Sequence, residues 1–591
     1  MNNNTLFYRI FLNGIRPVLW LTFIIYLFYF QTLFFSFSPL DDPGLIESRM
    51  EELQDFHTIG KVFTSRLEMA NAALLYRPIL ELTFMVDAIT GQGSPFSFHL
   101  SNVFYHLIAV LLVFQFLLLL KIERKTAFIC TIIFAIHPVN VSIASWIPAR
   151  NDSLLAIFLI ASLITYLKYL NLNSNRWLVA HFLLYGIALF TKENAVVIPP
   201  LIITYIILFP SVKRKKLGLQ SVIWAVITLF WLWMRSSPQG DFTELPFREQ
   251  IFTNTVMNFI LYMGKVFFPR NLSLMPNTAD TPMISLFIAT ALFIVIAMLL
   301  KKKNYRLAIW GITFFIFVII IPLLWGTVFG LSVSYEHRTY LPFVGLLIFI
   351  TQLQIPEWIR YYRKYLWLML TLIIFILGVK SFYRIQVYRD KDIFTFSVVI
   401  EAPSQWQAYA LRADALVEAE LFLAAVNHYS KAIDLIPNHD EDELYYAIGN
   451  CYQRMEYYSK ALENYELHIE KHPDFPDVFF NRALIYRDQG DYLSAIPDIT
   501  TALTLEPENS MFLNERGFCY QKIQEYEKSI TDFDEGLRYQ PNDINMLNNR
   551  SVSYFMLHEF EKAKAGILHI ETLGGQVHPN FKESVLQKCG N

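Results

Sequence analysis

Charge is scarce in this sequence. Only 17% of its 591 residues are Asp, Glu, Lys or Arg, and they balance to a net charge of −2. Without a basic stripe to neutralise phosphates, nothing points to nucleic acid as a partner. Cysteine is scarcer still: Cys130, Cys451, Cys519 and Cys589 show no CxxC-type spacing, which rules out a zinc ribbon or a dense disulfide framework. No glycine-rich phosphate loop occurs, so no sequence motif marks a bound nucleotide. What is abundant is apolar, with 54% hydrophobic and 16% aromatic residues and a mean hydropathy of +0.35. Length and apolarity together imply several membrane helices joined to something else.

Residues 1–383 form a series of apolar runs, read as a polytopic bundle of about eleven spans near 17–36, 100–120, 126–145, 152–170, 177–191, 193–210, 219–235, 283–300, 307–328, 341–356 and 364–381. The first run, about 20 residues long, is too long for a signal peptide and no small-residue cleavage site follows it, so it reads as a retained helix. Short basic segments, "KIERK", "SVKRKK", "KKKNYR" and "RYYRK", together with Arg9 and Arg16, all fall on one side, which the positive-inside rule makes cytoplasmic. The run at 251–268 contains Asn254, Asn258 and Lys265 and reads as an interfacial helix on the outer side. Residues 39–99 make a first outer loop too long for a plain connector. A linker is expected over 384–404.

From 405 to 591 the period changes. Ala413, Gly449, Ala483, Gly517 and Ser551 recur at spacings of 36, 34, 34 and 34. Ala425, Ala461, Ala495, Ser529 and Ala563 recur in register with them, and Pro437, Pro473, Pro507 and Pro541 close four units. This resembles the tetratricopeptide repeat, about five copies over 405–575, in which small residues let paired helices approach and each unit buries its face on the next. Cys451 and Cys519 share a repeat position two units apart, too distant to bond. A concave solenoid of this kind suits an extended polypeptide acceptor or a partner protein. The fold class is therefore all-α: a membrane helical bundle followed by a solenoid.

With the basic loops on one side, the remaining polar islands gather on the other. Asp41 and Asp42 sit side by side after the first span. Arg77, His99, His106, His137, Arg150, Asp152, Lys192, Glu193, Glu336, His337 and Arg338 mark the outer ends of other spans. Ionisable groups at membrane depth are costly and face a cavity or one another. A solvated turn explains Asp41 and Asp42 taken alone, and an ion bridge or a side chain reaching the interface explains each of the others. Together they suit another role: a carboxylate taking a proton from a hydroxyl, with arginines and a lysine holding a phosphate.

The segments "PFSFHLSNVFYHLIAV", "AIHPVNVSIASWIPARNDSLLAIF", "ALFTKENAVVIPPL" and "EHRTYLPFVG", in this order and followed by the repeats, resemble the transmembrane O-mannosyltransferases that carry tetratricopeptide repeats, within the GT-C class of polytopic glycosyltransferases. The resemblance implies a sugar, mannose in that family, carried on a polyprenyl phosphate, with transfer and inversion at a protein hydroxyl on the non-cytoplasmic face. It implies a catalytic aspartate from the pair Asp41 and Asp42, with Asp42 favoured because Asp41 follows Pro39-Leu40 and is placed to cap the turn. Arg77, Arg150, Lys192 and Arg338 are expected on the donor phosphate, with His106, His137, Asp152, Glu193, Glu336 and His337 around the pocket. No metal ligands are assigned, and a divalent ion stays open because some of the class use one. The looser continuation "PGLIESRMEEL" departs from the family's more acidic or Asn-rich loop.

Two other readings compete: a non-catalytic lipid-binding scaffold whose repeats recruit a partner, and a GT-C enzyme with a lipid or polysaccharide acceptor. A transporter is disfavoured, since no inverted repeat is visible. The Asn, Lys, Ile and Phe bias leads us to expect a bacterial plasma membrane with the N-terminus cytoplasmic and the repeats outside. In a eukaryote the equivalent is the endoplasmic reticulum with lumenal repeats.

Overall fold

A computed structural model describes residues 6–64, 67–68, 74–210, 217–236, 251–270, 272–275, 279–281, 283–328, 336–354, 356, 361–436 and 443–590. The basic segment at 211–216 and Pro437 lie outside them. The chain divides into two units, Met1–Leu411 and Arg412–Asn591.

The first unit is helical throughout the expected runs, but fewer of them cross a membrane by length and composition. Among the described residues, six helices do: Arg16–Phe34, Pro95–Leu119, Ile147–Leu172, Leu217–Ser236, Tyr305–Leu323 and Lys364–Gln386. The run expected at 126–145 breaks at His137 into Arg124–Ile136 and Pro138–Ser145, bent by 57°. It makes a seventh if counted as one span. Pro138 has no N–H to continue the ladder, which gives the break its cause. The run expected at 341–356 is a 12-residue helix, Tyr340–Thr351, buried along nearly its whole length. Such a helix is apolar all round because it is core, and at about 18 Å it is too short to span. It crosses Tyr305–Val328 so closely that a Cβ on Gly345 would stand 2.6 Å from the Gly311 carbonyl oxygen, the small-residue contact typical of membrane helices.

The 251–268 segment is not interfacial. In the helix Ile251–Phe267 the residues Leu261, Tyr262, Met263 and Val266 are all buried, as are Asn258 and Lys265. Burial on every side replaces the single apolar face that an interfacial helix needs. Among the described residues of 39–99, Leu45, Ile46, Leu53, Val62, Leu80, Phe84 and Phe98 build a small core together with Phe37, Ile147 and Leu154, and an Arg49–Glu81 ion pair lies within the segment. The 384–404 stretch carries the helix Lys391–Glu401, whose Phe394, Thr395 and Val398 are buried.

The second unit stacks helical pairs, among them Glu443–Arg454 with Tyr458–Lys471, Pro476–Asp488 with Tyr492–Leu505, and Ser510–Lys522 with Tyr526–Tyr539. Pro579–Cys589 caps the stack. The small residues do what their spacing predicts. A Cβ on Gly449 would lie 2.4 Å from the Tyr465 ring, and one on Gly517 2.7 Å from Phe533. The helix–helix turns put Glu420, Glu456, Gly490, Gln524 and His558 at positive φ, the same position in each of five repeats. All four cysteines are free thiols.

Candidate functional site

After the first span the chain runs extended and then tightens at Asp42 into a single wide turn, Pro43–Glu47. Asp42 is 1% exposed. Its Oδ2 accepts the Ser38 N–H at 2.6 Å, while Oδ1 is buried without a partner. The side chain that ties this turn is therefore that of Asp42, not of Asp41 as the sequence suggested. Burial pushes the Asp42 carboxyl up to about 8; Asp41 and Glu47 add to the rise through their negative charge, and the Ser38 N–H opposes it. Burial alone raises Asp41 to about 6. Two carboxyls side by side thus differ in ionisation at neutral pH, Asp41 mostly charged and Asp42 mostly protonated.

Three of the four expected phosphate ligands share one cluster. Arg77 pairs with Glu193 at 2.9 Å. Lys192 pairs with Asp152 at 2.7 Å and reaches Asn151 at 3.2 Å. Arg338 donates to the Pro322 carbonyl at 3.5 Å. Burial, then the charges of Lys192, Arg338 and Arg77, hold the His337 imidazole well below its usual range, so His337 is neutral among these cations. Its ring lies 5.5 Å from that of Trp146.

The fourth, Arg150, is elsewhere. Its guanidinium is fully buried, with four contacts for its five N–H groups: Asp87 at 2.6 Å, Asn102 Oδ1 at 2.6 Å, the Phe98 carbonyl at 2.7 Å and Thr83 at 3.2 Å, with the Phe84 ring 5.0 Å away. Each of its three nitrogens is engaged, and Arg150 fastens the 39–99 segment to the helices packed against it. His106 and His137 also serve packing. His106 bonds the Tyr340 hydroxyl at 2.8 Å and the Ala135 carbonyl at 3.2 Å, and His137 sits edge-on to Phe343 at 5.0 Å. His99 meets the Ser36 carbonyl at 3.3 Å, bracing the chain that leads to Asp42.

A small cavity of about 20 Å³ is lined by Leu40, which precedes the carboxylate pair, and by Trp146, Ser273, Glu336 and His337, the last preceding Arg338; the carboxylates and the three cations are not themselves in its wall. Its far wall depends on residues the sequence reading left out of the site. Glu336 accepts the Ser273 N–H at 2.6 Å and faces Lys265 at 3.7 Å and Arg384 at 3.4 Å. Arg384 also pairs with Glu401, which accepts the Leu274 N–H at 3.0 Å. A lysine inside an apolar run was a visible signal. Arg384, in the last turn of a span, and Glu401, in a stretch read as linker, gave none. Among the described residues no three carboxylate, imidazole or thiol groups converge to hold a metal, so the described side chains do not fit a divalent ion and no step is assigned to one.

Comparison with known proteins follows the same division. Residues 80–235 match the family described as dolichyl-phosphate-mannose-protein mannosyltransferase, and residues 476–509 match the tetratricopeptide repeat. Protein O-mannosyl-transferase TMTC3 of Mus musculus is 27% identical over 126 residues, 21% of this chain and 14% of that protein. TMTC2 of Homo sapiens is 26% identical over 148 residues, 24% of this chain and 18% of that protein. The chain thus matches less than a fifth of the length of either relative. Among solved structures, the repeat protein YrrB, described as having an unusual peptide-binding site, is 18% identical, with a TM-score of 0.29 over 33% of this chain and 98% of that one. The chain is therefore similar to the dolichyl-phosphate-mannose-protein mannosyltransferases in its membrane unit and to the tetratricopeptide-repeat proteins in its second unit.

Proposed function

We propose that this chain is a membrane glycosyltransferase that moves a sugar, mannose by its likeness to the relatives, from a polyprenyl-phosphate donor to a hydroxyl of a polypeptide, on the face opposite the basic loops. The observation that carries the reading is a buried carboxyl with one unpartnered oxygen, Asp42 Oδ1, whose loop shares a cavity with the turn bearing His337 and Arg338.

In its ionised form Asp42 takes the proton of the acceptor hydroxyl. The hydroxyl oxygen bonds to the anomeric carbon as the bond from that carbon to the phosphate oxygen breaks, inverting the centre. The departing phosphate is received by Arg77, Lys192 and Arg338. Glu193 and Asp152 hold two of these cations in place beforehand, which limits their reorganisation when charge develops. An ionisation midpoint near the working pH suits a general base. The repeat unit would present the acceptor.

The test is transfer of radiolabel from polyprenyl-phosphate mannose to an acceptor polypeptide by the purified chain in lipid. Labelled polypeptide of inverted anomeric configuration is expected. Retained configuration would overturn the single-displacement mechanism. Binding of the donor without transfer to any polypeptide, lipid or polysaccharide would overturn the enzyme reading.

A further inference from the structure

A second cavity, of about 790 Å³, lies at the other end of the same helices. The helix Arg150–Leu172 starts at the side of the candidate site and ends at this cavity. Its 23 residues place the two ends about 33 Å apart. Tyr340–Thr351 runs the same way, from the Glu336–Thr339 turn to Thr351 and Gln352 in the cavity wall.

Two lysines from separate basic loops, Lys121 and Lys303, line it against a single carboxylate, Glu123. Three other cations of these loops are engaged elsewhere. Arg124 donates to the Gly14 carbonyl at 2.6 Å, Lys125 lies 3.8 Å over the Trp367 ring, and Lys302 donates to the Ala297 carbonyl. The Lys303 ammonium makes only a long 3.4 Å contact to the Thr351 carbonyl, and the Lys121 ammonium has no hydrogen-bond or ion-pair partner among the described residues. Both lysines stand on fixed backbone. Lys121 is held at φ 61° in a turn closed by Ile122 N–H to the Leu117 carbonyl at 3.1 Å, and Lys303 N–H donates to the Gln352 carbonyl at 2.8 Å.

We propose that this cavity binds the phosphate head of an anionic membrane lipid. The ammonium groups of Lys121 and Lys303 would meet the phosphate, and the amides of Asn171 and Asn304 its remaining oxygens. The volume suits a headgroup. Tyr205 and Phe209, their rings tilted with centres 4.6 Å apart, give the chain an apolar wall that continues to exposed Ile207. Basic recesses between membrane helices on the positively charged side are where such headgroups are held.

The test is native mass spectrometry of the purified full chain, titrated with short-chain phosphatidic acid against phosphatidylcholine. Phosphatidic acid is expected to bind selectively, and Lys121→Ala with Lys303→Ala to weaken it about thirtyfold at about 1 kcal/mol per lysine. Lys121→Arg with Lys303→Arg should retain binding and so separates lost contact from lost folding. Lys301→Ala with Arg306→Ala removes equal charge outside the cavity and should leave affinity unchanged. An equal loss from both alanine pairs, no loss from the first, or displacement of the lipid by equimolar inorganic phosphate would overturn the proposal.

Discussion

The two units of this chain carry ion pairs of opposite kinds. In the repeat unit Arg482 pairs with Asp498 and Arg516 with Asp532, the same sixteen-residue step repeated one unit on, each joining the two helices of its own repeat. In the membrane unit the site's pairs join segments farther apart in sequence: Arg77 with Glu193, Lys192 with Asp152, Arg384 with Glu336. A periodic sequence states its contacts, because each repeat contacts only its neighbours. A polytopic bundle states only that its charges need partners. The repeat unit is a scaffold of local solutions, whereas in the membrane unit the charges that fasten the fold and those of the candidate site are the same residue types.

Arg150 and Arg516 make that comparison testable. Replacing Arg150 with Ala leaves Asp87 buried and uncompensated and should destabilise the membrane unit by about 3 to 5 kcal/mol, read as loss of folded protein in detergent whatever the transfer activity. Arg516→Ala breaks a partly exposed pair and should cost about 1 kcal/mol. Equal effects would mean that Arg150 is not the fastener its contacts describe. Arg338→Ala should lower sugar transfer about a hundredfold with the melting temperature nearly unchanged, as expected for a group that stabilises departing charge. Unchanged transfer would remove Arg338 from the site. Gly449→Ala, which drives a methyl group into the Tyr465 ring, should destabilise the repeat unit by about 2 kcal/mol, measured by denaturant unfolding.

Smaller effects sharpen the picture. Asp42 is raised to about 8, so it is protonated below that pH and active as a base above it. Transfer should therefore rise between pH 6 and pH 8. Asp41→Asn removes a charge that contributes to the rise and should shift that profile toward lower pH; a profile that stays put would show that the two carboxyls do not interact. At the bottom of the scale, Gln524→Gly and His558→Gly relieve left-handed backbone and should each stabilise the repeat unit by up to about 1 kcal/mol.

The repeat unit was legible almost residue by residue, since small residues at fixed spacing have one packing explanation. Its left-handed turns were not: only Gly490 of the five such positions advertises its conformation. In the membrane unit the apolar runs located helices, six of which among the described residues are long and apolar enough to cross a membrane. Tyr340–Thr351 is apolar because other helices surround it, and hydropathy does not distinguish protein from lipid as the surroundings. The site was legible as a set of residue types on one face. The difference between Arg150 and Arg338 was not, because both are arginines at the ends of apolar helices. Only their partners separate them: a carboxylate, an amide and a backbone carbonyl close around one, and a neutral imidazole and other cations lie near the other.

The central claim is that Asp42 is a base rather than a structural carboxyl, and one pair of measurements on Asp42→Asn decides it. Initial rate of mannosyl transfer and melting temperature, both at pH 8, should move in opposite directions: a rate lower by about 10² to 10⁴ and a melting temperature equal to or above the parent's, because a buried charge has been removed. Transfer at the parent rate would contradict the account, and so would a loss of rate that merely follows a loss of folded protein.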